Sequence, residues 1–190
     1  TDHVLSRQVM IHLLPRDDDR NDAVLEAARR SAIATDARFL RVLDAAHEPT
    51  DPSPDSPDGP FVVCEYAAGE TLTDLLSDGP LSSPEAAWLI REIADALAGT
   101  HAQDQYHQHI SPDTIIVTPT GNVKIVGFGI HSAIDPVDDA DDPAHSDVRD
   151  VARLLYAALT ARFPGGPAYG LAAVPPDENG EWLSPRDVRT

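Results

Sequence analysis

Apolar positions along the chain fall into short runs and helix-spaced stripes, separated by polar stretches that carry proline. Gln8 to Leu14 (QVMIHLL) is a short, largely apolar run closed by Pro15, and it predicts a β-strand. Asp22 to Ala34 is rich in alanine, leucine, glutamate and arginine and lacks proline and glycine, so it predicts a helix by propensity. Phe61 to Tyr66 (FVVCEY), bounded by Gly59-Pro60 and Gly69, predicts a second strand. Thr71 to Ser77 predicts a short helix stopped by Gly79-Pro80.

The strongest helical signal runs from Pro84 to His101. Ser82 with Glu85 forms a capping box, Pro84 sits in the first turn, and Leu89, Ile93, Ala96, Leu97 and Thr100 make one buried stripe. Ile115 to Val117 and Val123 to Val126, joined by Thr118-Pro119-Thr120-Gly121-Asn122, predict a hairpin. A last helix is predicted from Asp147 to Thr160, capped by Ser146, with Val148, Val151, Leu155 and Leu159 turned inward and Phe163-Pro164-Gly165-Gly166 marking its end. The proline-rich tail from Pro167 to Thr190 offers only a further cap at Ser184-Pro185. No internal repeat is visible.

Charge changes this picture. The 190 residues carry 14 basic and 32 acidic side chains, a net charge of −18. Such a surface repels phosphate backbones and anionic lipid heads, which argues against nucleic acid or a membrane surface as the main partner. The acid gathers in Arg16 to Asp22, Asp44 to Gly59 and Asp135 to Asp150, all three read as solvated loops. None has the Asp-x-Asp-x-Asp-Gly pattern of a calcium loop. At 42% hydrophobic residues the chain can bury a core, and its length suits about one domain. Cys64 is the only cysteine, which excludes a disulfide framework and fits a reducing location. No run approaches the roughly 18 apolar residues of a spanning helix, and Thr1-Asp2-His3 does not read as a signal peptide.

Taken in order, the elements resemble a bacterial Ser/Thr protein kinase. Val9-Met10-Ile11-His12 stands where Val-Ala-Ile-Lys would be, and Cys64-Glu65-Tyr66-Ala67 followed by Gly69-Glu70-Thr71-Leu72 looks like the hinge and the short helix after it. His107-Gln108-His109-Ile110-Ser111-Pro112-Asp113-Thr114 is similar to the catalytic loop His-Arg-Asp-x-Lys-Pro-x-Asn, and Gly127-Phe128-Gly129 to Asp-Phe-Gly. Ser146-Asp147-Val148 with Leu154-Leu155-Tyr156 resembles the central helix of the large lobe. The resemblance implies an α+β, two-lobed kinase-like fold, truncated. Residues 1–66 would form a partial N-lobe and 67–190 a partial C-lobe, with the Gly-rich loop strands and the last C-lobe helices outside the chain.

Phosphoryl transfer in that family relies on positioned charge: a lysine on the phosphates, an aspartate and an asparagine on Mg²⁺, and a loop aspartate that accepts the substrate proton. In this chain those positions hold His12, Gly127, Thr114 and His109, with Ser111 at the loop lysine and Gln108 at the loop arginine. The expectation is a domain without phosphotransfer. Met10, at the alanine that lies under the adenine ring, is expected to occlude the pocket near Cys64, Glu65 and Ala67. No cofactor is expected. The scaffold matches are His107 and Phe128 in the internal spine, Asp147 as anchor of the loop backbone, and Glu26 as the helix glutamate. From Gly129 to Asp147 no Ala-Pro-Glu motif appears, only an acidic stretch.

Within the family the strongest resemblance is to the intracellular pseudokinase domain of the actinobacterial MviN-type lipid II flippases, carried by His12, His107-Gln108-His109, Gly127-Phe128-Gly129 and the alanine- and aspartate-rich composition. It implies a cytoplasmic regulatory domain tethered beside membrane helices outside this chain. An active Ser/Thr kinase would phosphorylate it on threonine, and a forkhead-associated (FHA) domain protein would then bind it; Thr50 and Thr71 are candidate acceptors. Two other readings stay open: residual nucleotide-dependent activity, and a metal site built from His101, His107 and His109.

Overall fold

A computed structural model of the chain describes residues 7–32, 36–49, 59–130, 133, 142–174 and 177–188. Strand β1 (Val9–Leu13) runs antiparallel to β3 (Phe61–Glu65), which pairs on its other side with β2 (Val42–Ala46), giving the order β1-β3-β2. Helix α1 (Asn21–Ser31) covers this sheet. Its Val24, Leu25 and Ala28 form a small core with Ala45, Val62, Cys64 and Ile130, and Met10 and Leu14 pack at the rim. The helix is described to Ser31 with Ala32 as C-cap, and the expected end at Ala34 lies outside the described residues.

Strand β2 corrects the reading of Asp44 onward as solvated loop. Alternation outweighs charge here: Asp44 is exposed while its neighbour Ala45 is buried. The strand also carries an irregularity between Val42 and Asp44, which its acidic composition gave no reason to expect.

The larger core lies beyond β3. A two-residue strand β4 (Glu70–Thr71) leads into α2 (Leu72–Ser77), whose N-cap Thr71 closes a capping box with Asp74. Helix α3 (Ser83–His101) starts at the expected Ser82–Glu85 box and buries the expected stripe, with Ala86 added. Strands β5 (Ile115–Val117) and β6 (Val123–Ile125) form the hairpin, and β4 joins its edge. Gly69 is required at that junction, because a Cβ there would run into the Val117 carbonyl oxygen.

Helix α4 (Pro143–Thr160) differs from expectation at its start and in its buried face. Asp142, not Ser146, is the N-cap, accepting from the Ala144 and His145 N–H groups. Ser146 and Asp147 are instead buried inside the helix, with Leu154, Ala157, Ala158 and Thr160 along the inward face, while Val148 is 60% exposed. The first turns lie in the acidic stretch, and aspartate is among the residues least expected inside. The tail is also more ordered than its composition suggests. Strand β7 (Arg162–Pro164) pairs in parallel with β8 (Ala172–Val174), Leu171 and Val174 are buried, and a short helix α5 spans Pro185–Val188.

Residues 36–41 join the two cores. Phe39 belongs to the larger core, and backbone bonds link Leu40 N–H to the Ile125 carbonyl and Ile125 N–H to the Arg38 carbonyl. Arg38 donates to Asp36 and Asp95 at 2.7 Å each and to the Glu92 carbonyl at 2.9 Å, fastening this loop to α3. Lys124 Nζ donates to the Ala37 carbonyl at 2.5 Å.

Candidate functional site

The segment from His107 to Thr114 leaves α3 and enters β5, and its shape is set from behind by one carboxylate. Asp147 is fully buried, and it accepts from the His107 N–H at 2.9 Å and the Gln108 N–H at 2.5 Å, while His101 Nε2 lies 2.8 Å away. Gln108 sits at φ +59°, a conformation that side-chain-bearing residues rarely adopt. The paired amide bonds to Asp147 offset that strain. His107 is fully buried; its Nε2 lies 3.0 Å from the Val126 carbonyl. Its ring meets Phe128 edge-on with centroids 6.0 Å apart, and Phe128 packs on Phe39 at 4.7 Å. These aromatic contacts make one continuous stack through the core.

At three of the other motif positions the side chains offer no carboxylate or ammonium group. Gly127 is buried at φ +83°, in a turn closed by Ile130 N–H on its carbonyl, and it presents no side chain to a cation. Thr114 is turned inward: its Oγ1 donates to the Ser111 carbonyl and accepts from the Ser111 N–H, each at 2.9 Å. His12 lies in β1 opposite Val62, and its Nε2 is buried with no hydrogen bond among the described residues. Burial holds the His12 imidazole below its ordinary pKa, so the neutral ring is favoured.

Glu26, expected as the helix glutamate, points to solvent and makes no hydrogen bond or ion pair with His12 or this segment among the described residues. It is exposed and pairs loosely with Arg29 at 4.0 Å. Its neighbour Ala27 takes the inward face, lining with Arg30, Tyr106, Gln108, Phe128 and Gly129 a cavity of about 400 Å³ between α1 and the loop. One residue of helix register turns a side chain by about 100°, which decides between solvent and cavity.

The residues assigned to an adenine pocket separate into two groups. Met10 is half-buried, stands opposite Cys64, and packs into the small core. Burial pushes the Cys64 thiol up to about 11. Glu65 and Ala67 line a different cavity, of about 230 Å³, with Leu40, Leu43 and Lys124. Arg41 donates to Glu65 at 2.5 Å and holds its carboxyl below the usual range.

No motif singled out two further residues. Asp150, one turn along α4 from Asp147, has its carboxyl raised by burial, an effect that Arg153 and Arg149 oppose. Tyr169, in the tail, packs edge-on against Phe163 with ring centroids 5.1 Å apart. Asp150 lies in an acidic stretch that reads as solvated charge. Thr71 is engaged as the cap of α2, and Thr50 lies outside the described residues. Among the described residues no group of three or more His, Cys, Asp or Glu side chains is arranged to hold a metal, and no helix is long and apolar enough to cross a membrane.

Solved structures and curated proteins place this geometry. The kinase domain of Mycobacterium tuberculosis PknI, solved as a cysteine-to-alanine mutant, superposes with a TM-score of 0.67 over 84% of this chain and 68% of that one, at 16% identity. The fold is protein-kinase-like. The sequence relatives agree with this kinase-like architecture. The serine/threonine-protein kinase PrkC of Bacillus subtilis is 28% identical over 138 residues, 70% of this chain and 20% of its own. The serine/threonine-protein kinase PknB of Mycobacterium leprae is 30% identical over 135 residues, 68% of this chain and 21% of its own. The chain therefore spans about a fifth of the length of these relatives. No protein-family model matches it. It is an α+β, protein kinase-related domain.

Proposed function

We propose that this domain is a pseudokinase, a regulatory scaffold without phosphotransfer. Gly127 carries the reading: at the position where the kinase relatives hold Mg²⁺ with a carboxylate, this chain has a buried backbone turn with no ligand to offer. His12 and the inward-turned Thr114 support it, since neither supplies the charge that phosphate or metal would need. His109 alone cannot compensate, because positioning and electrostatics carry most of phosphoryl transfer. The regulatory role follows the resemblance to the MviN-type flippase domains: phosphorylation on threonine by an active Ser/Thr kinase, recognition by an FHA-domain protein, and control of lipid II export from the cytoplasmic face of the membrane. A phosphate adds about −1.5 to −2 charges and strong acceptor oxygens, which suit an arginine-lined reader.

Incubation of the domain alone with ATP and Mg²⁺ tests the first part: no autophosphorylation is expected, and phosphate incorporation overturns it. Thermal unfolding with ATP and either Mg²⁺ or Mn²⁺ tests the occluded pocket, which a clear stabilisation would contradict. For the second part, treatment with an active Ser/Thr kinase should create affinity for a phosphothreonine reader. Equal binding before and after treatment contradicts it.

A further inference from the structure

The cavity between α1 and the catalytic-loop segment has an apolar floor and polar walls whose groups have nothing to bind. Ala27 of α1 and Phe128, only 5% exposed, form the floor. Gly129 closes it against the helix, since a Cβ there would meet the Ala27 carbonyl oxygen at 3.7 Å. Arg30 from α1 and Asp104 from the turn after α3 line the walls, and neither pairs with the other or with any other side chain among the described residues. In a chain with 32 acidic and 14 basic side chains, an arginine without a carboxylate runs against the composition. Arg38, Arg41 and Arg153 each sit on one, and the neighbouring Arg29 donates to the Ala45 carbonyl at 3.0 Å. The Gln105 and Gln108 amides and the Tyr106 hydroxyl, on half-buried side chains, also make no hydrogen bond among the described residues. Polar groups withdrawn from bulk water usually find partners, and unspent ones converging on a concave wall are what a ligand pocket presents.

These walls are held in place. Asp104 at φ +55° and Gln108 at φ +59° are both left-handed, a conformation that residues with side chains keep where the surroundings over-determine it, often at ligand clamps. Asp147 supplies that constraint at Gln108 by accepting its backbone N–H. Tyr106 packs on the His101 ring with centroids 5.1 Å apart, and His101 Nε2 lies 2.8 Å from the same carboxylate. The buried anchor therefore positions the cavity wall as well as the loop.

The charges select the ligand. An anion alone would meet Asp104 and the negative excess of the whole chain, while a cation alone would meet Arg30. A molecule with one charge of each sign and a hydrogen-bonding group between them satisfies both walls. We propose that this cavity is a binding site for a small zwitterion of dipeptide size, its carboxylate on Arg30, its ammonium on Asp104 and its amide on the glutamines. The volume of about 400 Å³ suits such a molecule. None of His12, Thr114 and Gly127 lines the cavity, so this proposal and the loss of phosphotransfer can each fail alone.

Glycylleucine is the probe: it carries an ammonium, an amide, a carboxylate and a branched apolar side chain for the Phe128 floor. Titrated into the isotopically labelled chain and followed by NMR, it should shift the side-chain amide signals of Gln105 and Gln108 saturably, with a dissociation constant of about 1 mM. Arg30→Gln and Asp104→Asn should each weaken binding about tenfold, the loss of one charge-assisted hydrogen bond. Both should leave the unfolding midpoint unchanged, because neither side chain has a partner to lose and asparagine tolerates the left-handed turn. Ala27→Leu, which fills the floor from the helix, should abolish binding. N-acetyl-glycylleucine keeps the carboxylate and loses the ammonium, and it should bind the wild-type chain about tenfold more weakly. Absence of a saturable shift up to about 20 mM probe overturns the proposal. So does equal affinity in wild type and Arg30→Gln, or equal affinity for the free and the acetylated dipeptide.

Discussion

The two sides of the His107–Thr114 segment are built very differently. Behind it, Asp147 gathers two backbone amides and a histidine on one buried carboxylate, and a three-ring stack runs on through Phe128 to Phe39. In front, the positions that would carry charge hold a glycine, an inward-facing threonine and a neutral-leaning histidine. The contrast teaches that in this fold the residues that shape the loop and those that act from it are separate sets. The first set stays under full packing constraint whatever side chains the second set carries.

The largest effect should come from breaking the back. Asp147→Ala leaves the buried His107 amide, the half-buried Gln108 amide and His101 without their acceptor and removes what offsets the strain at Gln108. A loss of about 3–5 kcal/mol in urea unfolding is expected, enough to unfold much of the population of a marginally stable domain. A loss below about 1 kcal/mol would show that the loop holds its shape by other means.

The same contrast explains what could be read from sequence. The Asp147 anchor and the α3 capping box were legible because each depends on residues a few positions apart or on an ordered motif. Strand β2 and the start of α4 were not, because Asp44 and the Asp142–Asp150 stretch read as solvated charge, while alternation and burial decided the outcome. Glu26 was expected to face the segment, and it is exposed instead. The left-handed turn at Tyr169 was not legible, because a tyrosine in that position is not a turn signal.

A middle-sized effect should come from refilling the front. Gly127→Asp puts a side chain on a backbone at φ +83°, which aspartate tolerates better than most residues but at a cost of about 1 kcal/mol. Denaturation should report that loss, and thermal shift with ATP and Mg²⁺ should stay flat. One carboxylate does not restore the lysine, asparagine and loop aspartate positions. A nucleotide-dependent shift in this single variant would mean that the front is less dismantled than its residues suggest.

The smallest effect concerns His12, and its sign follows from burial. Its folded pKa is depressed, so above the unfolded value of 6.5 both states are neutral and stability does not depend on this residue. As pH falls below that value the unfolded chain takes up the proton first, and stability declines until the folded ring is protonated as well. Glu26 cannot counter this, since it faces solvent. His12→Val suits the strand and removes both the titration and the unpartnered nitrogen. The other histidines are common to both proteins, so their contributions cancel when the two unfolding midpoints are subtracted. That difference should widen in favour of the variant between about pH 7 and about pH 5. A difference that stays constant over that range would place His12 in a hydrated setting, and the front of the segment would then be more open than its geometry indicates.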